Sequence, residues 1–269
     1  MKLLPSIYYI LKFIFVILTF ITLYFLSQHV HRGFICGDSS LSLTPRPDTI
    51  SNALLVFWGF SPFLILFVWE FSSIYANSRT IKFSLKQSWK IVAFLCHRFF
   101  ADMLLMHLVV VAAKFFTRSH RPHFFETCKP DKMYNCTLGT FVDSFECTNT
   151  EVGKIRKIDA SMSFFSGHAA TCVYSCFFII WYIQRKLQSS SIVIIPFIQT
   201  LLICLAFYGS ISRVFDHRHH WWDVLAGGIV GLITSYHACY VLCDNSLPRK
   251  EVRKDIKDNN QTFLPTINV

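Results

Sequence analysis

The sequence is short of charge. Only 16% of its 269 residues are Asp, Glu, Lys or Arg, against about 25% in a soluble domain. The 53% apolar content, with 28 Phe, points instead to an integral membrane protein. Acid is scarcer than base: 16 Asp and Glu stand against 26 Lys and Arg, a net charge of +10. No carboxylate cluster suited to Mg²⁺ is evident, and no Cys/His set suited to zinc. There is no CxxC among the 10 cysteines. The CxxxC pairs Cys172/Cys176 and Cys239/Cys243 fall inside apolar runs and read as packing residues. There is no internal repeat and no low-complexity stretch. No basic soluble domain stands apart to bind nucleic acid.

What the chain does have is long apolar segments. A bilayer-spanning helix takes about 20 mostly apolar residues. Six segments stand out: Ile7–Leu26, Ala53–Tyr75, Ile91–Phe115, Phe164–Ile183, Ile192–Tyr208 and Trp222–Cys243. The fifth is the shortest and carries Pro196. The first is too long for a signal peptide, and no A-x-A-like site follows it, so it reads as a retained anchor. The expectation is an all-α, polytopic membrane protein with six transmembrane helices over residues 1–243. A basic tail, 244–269, follows.

Lys and Arg set the orientation. The connectors 77–90 and 184–191 and the tail are basic, and with six spans they share one side with Lys2. The long segment 116–163 is basic too, but long loops weigh less in this rule. That side, with both termini, is expected to be cytoplasmic. Segments 27–52, 116–163 and 209–221 then face the lumen or the outside. The sequon Asn135-Cys136-Thr137 lies on that face, where glycosylation occurs. So do Cys36, Cys128, Cys136 and Cys147, an even number in an oxidising compartment, with a disulfide expected within Cys128–Cys147.

Ionisable groups near the bilayer core are costly, so each one asks for a reason. Arg98 and Asp102 lie four apart and can pair along one helical face. His107 and His237 read as bundle histidines with polar partners. Three clusters are harder to dismiss: KFFTRSHRP at 114–122, Ser166-Gly167-His168, and SRVFDHRHHWWD at 212–223. With alternating spans, all three converge on the lumenal side. Lys114, Arg121 and Arg213 supply fixed positive charge, and arginine matches phosphate oxygens bidentately. Ser166 and Gly167 sit at an expected helix N-terminus, where free N–H groups favour anions. Two separate histidine positions offer a nucleophile and a general acid. Asp223 can fix a histidine tautomer. Together they describe a phosphoryl-transfer site that needs no metal. With Asp223 on a helix, His219 and His220 can both reach it, at four and three residues, whereas His217 cannot.

These residues resemble the type 2 phosphatidate phosphatase superfamily, whose motifs are K-x6-RP, PSGH and SR-x5-H-x3-D. Lys114-x6-Arg121-Pro122 and Ser212-Arg213-x5-His219-x3-Asp223 fit fully. Ser166-Gly167-His168 fits with Phe165 in place of the proline. RGFICGDSS, RPHFFETCKPD and SRVFDHRHHWWDVLAG bring the chain closer to the animal lipid phosphate phosphatases, over nearly its whole length. The resemblance implies six spans around a haloperoxidase-like helical core. It implies Mg²⁺-independent hydrolysis of lipid phosphate monoesters in the bilayer, without a cofactor. The usual substrates are phosphatidate, lysophosphatidate, sphingosine 1-phosphate and ceramide 1-phosphate. It selects His219 as the nucleophile forming a phosphohistidine, Asp223 as its orienting group and His168 as acid and then base. Lys114, Arg121, Arg213, Ser166 and Gly167 would hold the phosphate oxygens. The implied setting is phospholipid metabolism and lipid signalling, at the plasma membrane first and the ER or Golgi second. A homo-oligomer stays open. Arg118-Ser119-His120 departs from the family's usual Gly-Arg ahead of Arg-Pro and bears on rate and substrate preference. The alternative function is a catalytically inactive, lipid-phosphate-binding scaffold of the same fold.

Overall fold

Apolar segments with no water to bond their backbone must bond internally, and here they do so as helices. The computed structural model describes residues 18–19, 21–22, 32–77, 81–186 and 192–244. The helices are α1 (Asn52–Asn77), α2 (Ile81–Thr117), α3 (Phe124–Cys128), α4 (Lys154–Asp159), α5 (Gly167–Lys186), α6 (Ile194–Phe215) and α7 (Trp221–Asp244). Windows in α1, α2 and α6 are long and apolar enough to cross a membrane by length and composition. The fourth and sixth expected segments are the helices α5 and α7. Of the first, residues 18–19 and 21–22 are helical, and the rest lies outside the described residues, as does the tail beyond 244. Helix α2 begins at Ile81 rather than near Ile91. Pro196 falls in the first turn of α6, where a missing N–H costs nothing.

Helix α5 is central, with α1, α2, α6 and α7 packed against it. Phe99, Tyr174 and Phe178 form the buried aromatic centre. The Phe99 ring lies 4.9 Å from each of the other two. The contact between α5 and α7 depends on small residues. A side chain at Gly227 would collide with the Ser166 carbonyl, and one at Gly231 with the Ala170 carbonyl. Glycines four apart let two backbones approach closely. Lower in the bundle, Arg98 Nε lies 2.8 Å from Asp102. His237 joins them, 3.0 Å from Arg98 and 3.5 Å from Asp102, which ties α2 to α7.

Segments 32–50 and 118–166 fold together as a cap over one end of the bundle. Within the cap, β1 (Phe34–Ile35) pairs antiparallel with β2 (Phe141–Val142), a small strand pair beside the helices. Disulfides Cys36–Cys136 and Cys128–Cys147 hold the cap, the first of them joining the two segments. Its core is Phe34, Leu41, Phe124, Phe125 and Ala160. Asn135 of the sequon is exposed.

Candidate active site

Between the cap and the helix ends lies a cavity of about 670 Å³. Lys114 from the last turn of α2, Gly167 and His168 from the first turn of α5, and Arg213 from the last turn of α6 line it with Arg121 and His219. Ser166 and Asp223 line no part of it and are fully buried. Ser166 opens α5: its Oγ accepts from Ala169 N at 3.4 Å, and its N–H donates to the Asp223 carbonyl at 3.0 Å. The close approach at Gly227 makes that last bond possible. Leu55, Val110 and Val111 complete an apolar part of the wall.

His219 and His220 both lie near Asp223, as expected, but not on its helix. Helix α7 starts at Trp221, so His219 and His220 precede it. His220 stands at the N-cap position, and Asp223 Oδ2 reaches back to its N–H at 3.0 Å, the reciprocal half of a capping box. The His220 ring stacks on Trp222 at 4.5 Å. Its Nδ1 is 3.4 Å from Asp223 Oδ2 without hydrogen-bond geometry. His217 turns away and meets the Thr44 carbonyl at 2.7 Å.

His219 meets Asp223 through a third residue. The direct distance from Nδ1 to Asp223 Oδ2 is 3.8 Å. Ser163 Oγ lies 2.5 Å from that carboxylate oxygen and 3.3 Å from His219 Nδ1. A hydroxyl has one proton to donate. If it goes to the carboxylate, Nδ1–H must donate to Ser163, which leaves the Nε2 lone pair for the cavity. Burial holds His219 well below its ordinary pKa, although Asp223 pulls the other way, so the ring is neutral. Asp223 Oδ1 and His168 Nε2 are buried without hydrogen-bond partners among the described residues.

Lys114, Arg121 and Arg213 are each tied back by protein oxygen. Arg121 donates to the Asp159 carboxylate at 2.7 Å, the Asp159 carbonyl at 2.8 Å and the Arg218 carbonyl at 3.1 Å. Lys114 Nζ donates to the Met162 carbonyl at 2.7 Å. Arg213 donates to the Ile50 carbonyl at 3.2 Å and to Asp48 at 2.7 Å, while its buried Nε has no hydrogen-bond partner among the described residues. Asp48 also receives Arg218 Nε at 2.9 Å and NH2 at 3.1 Å. Burial works to raise the Asp48 carboxyl, but Arg213 and Arg218 outweigh it and hold the group below its ordinary pKa. Asp216 lies 3.4 Å from Arg213 and accepts Thr49 N and Oγ1 at 2.9 and 2.7 Å. It thereby fastens the loop that carries Asp48.

The structure thus brings together Lys114, Arg121, Ser166, Gly167, His168, Arg213, His219 and Asp223. Asn135 and the Cys128–Cys147 pair belong to the cap outside this cavity. Sequence reasoning missed Ser163, Asp48 and Asp159. Their only signals were a hydroxyl just ahead of Ser166-Gly167-His168, one acid in RPDTIS, and one acid closing the basic run KIRKID. Among the described residues, no three His, Cys, Asp or Glu side chains cluster to hold a metal ion.

Residues 94–246 match the PAP2 superfamily. The chain is 30% identical over 250 residues to phospholipid phosphatase 1 of Rattus norvegicus, covering 88% of this chain and 85% of the relative. It is 29% identical over 226 residues to phospholipid phosphatase 2 of Bos taurus, covering 81% and 75%. It is 31% identical over 217 residues to phospholipid phosphatase 1 of Mus musculus, covering 76% and 73%. No solved structure matches at a significant level.

Proposed function

This chain belongs to the PAP2 superfamily, and from that premise we propose that it is an integral-membrane phosphatase acting on lipid phosphate monoesters. Phosphatidate, lysophosphatidate, sphingosine 1-phosphate and ceramide 1-phosphate are its substrate class. The relatives named phospholipid phosphatase support lipid phosphate hydrolysis. The observation that carries the mechanism is the Ser163-linked pair of His219 and Asp223 beside a cavity lined by Lys114, Arg121, Arg213 and His168.

In the first step His219 Nε2 attacks phosphorus. The P–O bond to the alcohol breaks, and protonated His168 gives its proton to the departing oxygen. The positive charge that develops on His219 is balanced by Asp223 through Ser163. In the second step His168, now neutral, takes a proton from water as the water oxygen attacks phosphorus. The N–P bond breaks and inorganic phosphate leaves. Negative charge on the equatorial oxygens is stabilised by Lys114, Arg121, Arg213 and the opening amides of α5. The cavity's apolar wall at Leu55, Val110 and Val111 suits acyl chains that stay in the bilayer. We read the topology as six spans, residues 1–243, with a cytoplasmic tail at 244–269 and the cap on the lumenal or outer face.

The test is phosphate release from phosphatidate in mixed micelles with EDTA present. Wild type is expected to be active, and His219→Ala to lose about 10⁴-fold or more. Activity retained in that variant removes the histidine mechanism. Activity abolished by EDTA alone removes the metal-free reading.

A further inference from the structure

A second cavity, of about 580 Å³, lies in the cap. Arg32, Arg118, Lys154 and Lys157 line it, with Asp143 as the one carboxylate. Ser144 and Ser161 add hydroxyls to the wall. Four cations around one acid make a site for an anion.

His120, in the lining of the second cavity, is held by several contacts. His120 stacks on Phe124 at 3.9 Å. Its ring nitrogens meet Ser161 Oγ at 3.1 Å and the Arg32 carbonyl at 3.0 Å. Burial pushes its pKa down to about 4, so it adds no charge. On either side of this ring, Arg118 lines the second cavity and Arg121 the first. Helix α4 divides in the same way. Lys154 and Lys157 line the second cavity, and Arg156 and Asp159 the first. One six-residue helix thus serves two separate basic spaces.

The depth of the second cavity narrows the ligand. Arg118 directly follows Thr117, the end of the apolar stretch Val92–Thr117. Its guanidinium lies 5.7 Å from the Phe115 ring centre. The backbone at Arg118 has φ 43°, a left-handed conformation uncommon outside glycine, Asn and Asp. It turns the chain sharply where the helix ends. Basic side chains that follow the end of an apolar helix reach the level of lipid headgroups.

We propose that this second cavity binds the phosphate of an anionic lipid headgroup, supplied by a bilayer lipid or by a soluble phosphodiester of the same kind. Binding there is independent of turnover at His219.

The test uses the full-length protein in phosphatidylcholine nanodiscs containing phosphatidylglycerol with a photoactivatable headgroup. This lipid is a phosphodiester and not a monoester substrate. The label is expected within residues 143–161. Its yield is expected to fall roughly tenfold in the Lys154→Ala/Lys157→Ala double variant, with phosphatidate hydrolysis and thermal unfolding unchanged. Arg118→Asn, which tolerates the left-handed backbone, should also lower the yield and serves if the double variant does not fold. Competition by soluble glycerophosphoglycerol identifies a free phosphodiester as a ligand. Competition by unlabelled phosphatidylglycerol alone identifies the lipid. Absence of label from 143–161, or an undiminished yield in a folded variant, overturns the proposal.

Discussion

Two polar clusters sit in this apolar bundle, and they are built in opposite ways. Arg98, Asp102 and His237 close on one another, within 2.8 to 3.5 Å. The groups around the 670 Å³ cavity are tied back on one side and open on the other. Arg213 is held by Asp48 and the Ile50 carbonyl, yet it also lines the cavity. His219 is held through Ser163, which leaves its other nitrogen for the cavity. A closed cluster spends its charge on joining helices. An open one keeps donors and a lone pair for a ligand.

That contrast can be broken from the open side first. Asp223→Asn keeps the shape but disturbs the tautomer of His219. The expected loss is about 10⁴-fold in kcat, by analogy with a carboxylate that orients a catalytic histidine, measured as phosphate release at saturating phosphatidate. Ser163→Ala removes the link but leaves both partners, so the loss should be smaller, about 10- to 100-fold in kcat. A Ser163→Ala enzyme as fast as wild type would mean that Asp223 reaches His219 without it. His220→Ala should cost less than either.

Asp48→Asn tests the tie on the arginines. It should raise KM for phosphatidate about tenfold, with a smaller change in kcat, because Arg213 and Arg218 lose a charged partner. Its stability effect has a defined pH sign. The folded-state pKa of Asp48 is lowered, so its contribution is present above the ordinary carboxylate range. That contribution disappears as pH falls through the lower folded value. Wild-type and variant unfolding temperatures should therefore differ at neutral pH and converge in acid.

The smallest effect on catalysis belongs to the closed cluster. Asp102→Asn should leave turnover per folded molecule unchanged while costing about 3 kcal/mol of stability or more, because Arg98 is left without its charge partner. A selective loss of kcat instead would show that the two clusters communicate.

The residues with distinctive chemistry were legible in the sequence. Lys114, Arg121, His168, Arg213, His219 and Asp223 stand out because charge is rare here, and alternation of spans puts them on one side. The residues that hold them were not legible. Asp48 meets Arg213 across 165 positions, and Ser163 meets His219 across 56. Contacts so distant follow no helical period, and a serine or a loop aspartate carries no mark of its partner. His219 and His220 both come near Asp223, as the spacing predicts, but not along one helix. Spacing arguments assume a helix, but α7 begins two residues after His219. The Arg98–Asp102 pair, local and helical, followed the expected pattern. The small β pair and the Cys36–Cys136 link depend on two distant loops meeting, which neither loop reveals alone.

The glycine seam between α5 and α7 has a consequence for the order of synthesis. Lys114, Arg121 and His168 leave the ribosome early, and His219 and Asp223 leave late. The bond from Ser166 N–H to the Asp223 carbonyl forms only once Gly227 and Gly231 lie against α5. A nascent chain stalled before the last helix is inserted would carry Lys114, Arg121 and His168 without the assembled His219–Asp223 pair. Activity would therefore arrive in one step, with the final helix, and a cell counting active molecules would be counting completed ones.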